Sequence, residues 1–335
     1  MLLILIVVAV VATAFIPHAN ASCFFLLTEA IKKATKIMPI LMQVLGQLEV
    51  ALDGCKEGCK MANCNDDPIN AWDQAVALYT GSLEGVDGTG SGKLVYALAD
   101  ELCQDFKTCG DLAKETDGSS HVNQVIFREF ALGSRQMAQG QCSNAKPHKE
   151  RIETMIAVPL IQGALRSAYI TSTAENGGEK SEAEGAAFAA SVLPIVHACD
   201  EDAASTIYKN MKTGQKGALN FAEVKKTFES VYSCMGIRGS DVGGLFNDNT
   251  GDYYAGASPL TASSSKSPSG EQNIGLIIGC TVAGLVVGVL LYFVLSKSCR
   301  GKTDKPLKDT HVKDDPTSDD PRNVADSEGE VVEIS

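Results

Sequence analysis

Between residues 197 and 208 the chain places an imidazole, two carboxylates and a phenol: His197, Asp200, Glu201 and Tyr208. On one helix following Pro194 these four share a face, with Val192, Ile195, Cys199 and Ile207 towards the opposite one. Oxygen donors joined by one imidazole suit a hard metal cation. A phenol with an ordinary pKa near ~10 can take part, because bound metal lowers the proton affinity of its ligand. The plainer reading of the same residues is a solvated acidic run, Asp200-Glu201-Asp202, beside a surface histidine.

A second donor set lies in residues 70–110. Trp72, Val76, Tyr79 and Leu83 recur on one helical face, which reads Trp72 and Tyr79 as core. Asp73 and Glu84 lie off that face, three turns apart if a helix runs through Gly81. The glycine-rich residues 85–92 fail as a phosphate cradle, since Lys93 is followed by Leu94 where Ser or Thr is needed. Asp87-Gly88 does not open a calcium loop of EF-hand spacing. No G-x-S-x-G, H-E-x-x-H or Cys-His nucleophile pattern occurs, so no catalytic residues are expected and the chain is not read as an enzyme.

The elements that must carry these groups are helices. Aromatic content is low, Ala and Gly are plentiful, and β-branched runs are missing. Apolar residues recur at helical intervals from Leu27 to Leu52, with Pro39 expected to break the segment in two. Asp67-Pro68 has the form of a helix start, and residues 150–173 form a long apolar helix with Pro159 inside it, central to the bundle. Ser181 is a candidate cap for the next helix, and residues 221–232 form another amphipathic one. Residues 248–256, with Asp252, Tyr253 and Tyr254, read as a connector.

Membrane topology frames the whole chain. Residues 274–295 are about twenty nearly continuous apolar residues without a charge, enough to cross a bilayer as a helix. Lys297, Arg300, Lys302, Lys305 and Lys308 follow, which puts the C-terminal tail in the cytosol. Residues 1–21 are an apolar run ending in the Ala19-x-Ala21 arrangement that signal peptidase cleaves after. Residues 22–255 are therefore expected outside the cell as one head, a single-pass type I arrangement at the plasma membrane. A Ser/Pro-rich stalk follows at 256–273, and an acidic, disordered tail at 296–335.

Setting aside the tail's 7 basic and 10 acidic residues from totals of 29 and 41 leaves the exterior part with 22 against 31, a net charge of −9. That balance argues against nucleic acid and anionic lipid as partners and allows a cationic one. Of the eleven cysteines, nine lie outside the expected span and tail, and an oxidising compartment makes them disulfides rather than zinc ligands. The fold expected is all-α, a disulfide-stapled helical bundle with one transmembrane helix.

Three strings carry a resemblance. AWDQAVALYTGSLEG, YALADELCQDFKTCG and, at residues 184–211, EGAAFAASVLPIVHACDEDAASTIYKNM resemble the algal low-iron-inducible iron-assimilation proteins, in particular the membrane-anchored phytotransferrin type. The likeness covers about residues 60–245. It implies a surface protein that captures ferric iron with carbonate as synergistic anion and delivers it by endocytosis through an unidentified cytosolic trafficking partner. Under it the candidate ferric ligands are Asp73, Tyr79, Glu84, His197, Asp200, Glu201 and Tyr208. A doubly charged anion is costly to bury without a guanidinium or a helix N-terminus, and Arg128, Arg135 and Arg166 are the candidates to hold it. Each arginine is equally readable as an ordinary surface or salt-bridged residue. The competing function, from a different class, is a surface adhesion or scaffolding protein that binds no metal.

Overall fold

The computed structural model describes residues 21–56, 67–81, 94–110, 119–173, 178–214 and 217–260, with side chains from Phe25 onward. Residues 1–20 and 261–335, which hold the expected leader except Ala21, the stalk except 256–260, and all of the span and tail, lie outside the described residues, as does Glu84.

The described chain is mostly helical. In order come α1 (Ala21–Lys56), α2 (Pro68–Thr80), α3 (Val95–Phe106), α4 (His121–Ala138), α5 (Cys142–Thr173), α6 (Glu179–Cys199), α7 (Glu201–Met211), α8 (Phe221–Val231) and the short α9 (Gly239–Val242). A two-residue hairpin, β1 (Phe246–Asn247) and β2 (Asp252–Tyr253), closes the described fold, with Phe246 opposite Tyr253.

Caps explain most of the boundaries. Asp67 accepts a hydrogen bond from the Ile69 amide and Pro68 occupies the first turn of α2, where its missing N–H costs nothing. Ser120, Asp200 and Asn220 cap α4, α7 and α8 in the same way, each accepting from the amide three residues on. At its other end α2 stops at Gly81, whose φ of +80° suits a residue without Cβ.

α5 is the axis of the bundle. It packs against α4 on one side and α6 on the other, and Ile152, Met155, Ile156, Leu160 and Ile161 are almost wholly buried along it. Full burial of one such side chain contributes about 1.5–3 kcal/mol. α1 lies across α2 and α6 through Ile37, Leu41, Val44 and Leu48. Small residues set the closest approaches: a Cβ on Gly163 would overlap the Phe188 ring, and one on Gly133 would overlap the indole of Trp72.

Three disulfides staple this frame among the described residues. Cys55–Cys142 ties the end of α1 to the start of α5, Cys103–Cys109 closes the end of α3, and Cys199–Cys234 ties the end of α6 to the turn after α8. The pairing of Cys23, Cys59 and Cys64 lies outside the described side chains.

Five expectations need correction. Pro39 does not divide the first segment, because α1 runs through it with Ile37 and Leu41 buried on either side. The helix does not continue through Gly81, so Asp73 is not joined to residue 84 on one helical face. Ser181 caps nothing: α6 begins two residues earlier, with Gly178 at its N-cap. The single helix expected after Pro194 is two, interrupted at Asp200 in extended geometry (φ −159°, ψ 112°). Residues 246–254 are an ordered hairpin packed on the bundle, with Tyr254 against the Tyr169 ring at 4.8 Å between centroids.

Among the described residues one helical stretch, Phe25–Lys56, is long and apolar enough to cross a membrane, with mean hydropathy 1.2. A third of its apolar window is buried in the bundle, and it lies near the N-terminus where a leader is expected.

Candidate functional site

The α6–α7 junction carries the first donor set. His197 stands in the last turn of α6, Asp200 forms the break, and Glu201 and Asp202 fill the first turn of α7, where their charge complements the helix dipole. Asp200 spends one carboxylate oxygen on the Ala203 amide at 2.9 Å. His197, Asp200, Glu201 and Tyr208 are all exposed, Tyr208 at 40%. Because the helix breaks at Asp200, the four do not form the continuous face that an unbroken helix would give. The Cys199–Cys234 bond anchors the α6 side of the junction to the turn after α8.

The second set separates into different environments. Asp73 is exposed on α2. Tyr79 is fully buried, its hydroxyl donating to Asn123 Oδ1 at 2.5 Å. Asn123 passes the chain on, its amide donating to the Tyr96 carbonyl at 3.0 Å and to Asp100 Oδ1 at 2.7 Å. The Ser120 amide also donates to that carboxylate oxygen. Burial, aided by the negative charge of Asp100, holds the Tyr79 phenol well above its ordinary pKa. In this state Tyr79 is a protonated core donor. Tyr96 and Phe127 meet it edge-on and Phe130 at a tilt, with centroids about 6 Å away.

The three arginines also part company. Arg128 is exposed on α4 and donates to Glu129, which in turn meets His148 Nδ1 at 2.7 Å. Arg135, near the end of the same helix, is exposed. Arg166 of α5 donates through Nε to Asp105 at 2.6 Å and lines a cleft between helices.

Among the described residues no group of three or more His, Cys, Asp and Glu side chains is gathered as a metal site. The structure brings together His197, Asp200 and Glu201 by chain proximity alone, and leaves Asp73, Tyr79 and the arginines apart from them. Sequence reading passed over Asn123 and Asp100, which meet Tyr79 from other helices, and over Asp241. That aspartate is wholly buried beneath Arg238, Arg151 and His121, its carboxylate 2.6, 3.6 and 3.8 Å from them. Arg238 lies three residues before Asp241, a spacing a capping box would have suggested, but Asn123, Asp100, Arg151 and His121 become partners only through the tertiary arrangement. Comparison of the chain with known protein families, curated proteins and solved structures returns no match.

Proposed function

We propose that this chain is a cell-surface, single-pass protein that binds ferric iron for uptake, with carbonate as synergistic anion and delivery by endocytosis. The observation that carries the reading is the run of residues 184–211, whose resemblance to the phytotransferrin type coincides with the exposed donors at the α6–α7 junction. His197, Glu201 and Tyr208 are accessible to an incoming ion, and Asp200 keeps one oxygen beyond its cap. A mostly helical, disulfide-stapled head agrees with an oxidising exterior. Tyr79 would join the ligand set only by giving up its bond to Asn123, so the surface donors are the first to test.

In this reading acid releases the metal: lowering the pH protonates imidazole, phenolate and carbonate, and each protonation removes a ligand. The experiment is ferric titration of the full-length protein in detergent with and without bicarbonate, followed by occupancy from pH 8 to about 5. A coloured, bicarbonate-dependent complex that bleaches in acid, and weakens in His197→Ala and Tyr208→Phe, supports the proposal. A protein that stays colourless and retains no iron with bicarbonate present overturns it.

A further inference from the structure

Four helices leave between them a cleft of about 310 Å³. Its polar lining comes from Lys33 of α1, Glu101 of α3, Arg166 of α5, and Lys180 and Glu184 of α6, with the ring of Phe188 beside them. The three cations reach it from three different helices, and none is fully engaged. Arg166 gives only Nε to Asp105, leaving both terminal amino groups without a hydrogen bond among the described residues. Lys33 Nζ lies 3.5 Å from Glu184, a loose pair, and 4.9 Å above the Phe188 centroid. Lys180 forms no ion pair among the described residues.

Unused N–H donors on three sides, one of them a guanidinium fork, are a receptor for carboxylate or phosphate oxygens. Two features choose between these. The volume falls in the range of small-molecule sites, about 300–1,000 Å³, and exceeds what a bare inorganic anion fills. Glu101 and Glu184 can accept from a hydroxyl while repelling an ion charged all round. We propose that the cleft binds a small hydroxylated di- or tricarboxylate, its carboxylates on Arg166, Lys33 and Lys180. The proposal does not rest on the iron reading, because the donors are all protein cations and no metal takes part.

Citrate is the probe, titrated calorimetrically into full-length protein stripped of metal by chelation and dialysis, with phosphate and bicarbonate as parallel titrants. Citrate binding that weakens about tenfold or more in Lys180→Glu is expected, the loss of one charged contact in a partly closed site. Lys180 is exposed, so that variant keeps its fold, as unchanged thermal melting will verify. Lys33→Met, which keeps the stem over Phe188, is expected to weaken citrate as well. No heat with citrate, equal affinity for citrate and phosphate, or citrate binding unchanged in both variants would each overturn the assignment. Iron binding is measured separately and its outcome moves none of these readouts.

Discussion

Gly133 of α4 leaves open the place where the indole of Trp72 lies, and the same indole donates its Nε1–H to the Phe130 carbonyl one turn earlier at 3.0 Å. α2 is thereby keyed into α4 by shape and by a buried hydrogen bond together. Trp72 has no exposed surface, and its ring meets Phe130 edge-on at 6.1 Å between centroids.

Adding a methyl group at that point should be costly. Gly133→Ala drives a Cβ into the Trp72 ring, and overpacking of this kind costs about 1–3 kcal/mol. Gly46→Ala is the control: inside α1, with nothing within 4 Å of the new Cβ, it should stabilise by about 0.5–1 kcal/mol. Thermal melts of the two variants should move in opposite directions.

The Tyr79 network predicts weakness in alkali. The folded state holds the phenol proton to a higher pH than the unfolded chain does, so the stability linked to it is complete below about pH 10 and falls as pH rises further. Tyr79→Phe removes this dependence but leaves Asn123 Oδ1 without its donor, at a cost near neutral pH of about 1–3 kcal/mol. Denaturant melts at pH 7 and above pH 10 should show the variant less stable in the first and its deficit narrowed in the second.

Asp241 predicts the opposite limb. Burial pushes its carboxyl up, but hydrogen bonds from the Arg238 side chain and backbone, with the charge of Arg151, outweigh that and hold it below its ordinary value of 3.8. The stability it contributes is therefore present above about pH 4 and lost as pH falls through the lowered value. Asp241→Asn should destabilise by about 2–3 kcal/mol at pH 7, moderated because Arg238 is largely exposed. The difference between variant and parent should shrink in acid melts below pH 4.

Of the three bridges, Cys55–Cys142 spans 87 residues and Cys103–Cys109 spans 6. Chain entropy makes the longer closure worth more, about 4 kcal/mol or somewhat more against about 2 kcal/mol. Replacing both cysteines of each pair by serine, one pair at a time, should lower the denaturation midpoint more for the first pair than for the second.

What the sequence made legible were local signals. The Asp67-Pro68 start, the amphipathic α8 and the central α5 all rest on caps or periodicity that a short window contains. Pro39 misled because its cost, about 3 kcal/mol in a helix interior, competes with a buried face that continues on both sides. Asp200 misled in the other direction. Its amide-capping side chain is a start signal for α7, and weighing the residue as a ligand obscured its preference for a cap. The candidate site was legible as composition, donors of the right types close in sequence. The burial of Tyr79 was also legible, from the apolar face it shares with Trp72. The geometry around it was not, because its partner Asn123 comes from α4, and Arg166 owes its position to Asp105 on α3.

The segment from Gly239 to Leu260 returns to the bundle at several points. Gln162 donates to the Val242 carbonyl and the Gly244 amide reaches the Phe106 carbonyl, while the segment closes on itself where a Cβ on Gly239 would meet the backbone of Leu260. A pull applied to the chain beyond residue 260 thus arrives at a peg set into the middle of α5 and is shared at once with α3 through Phe106.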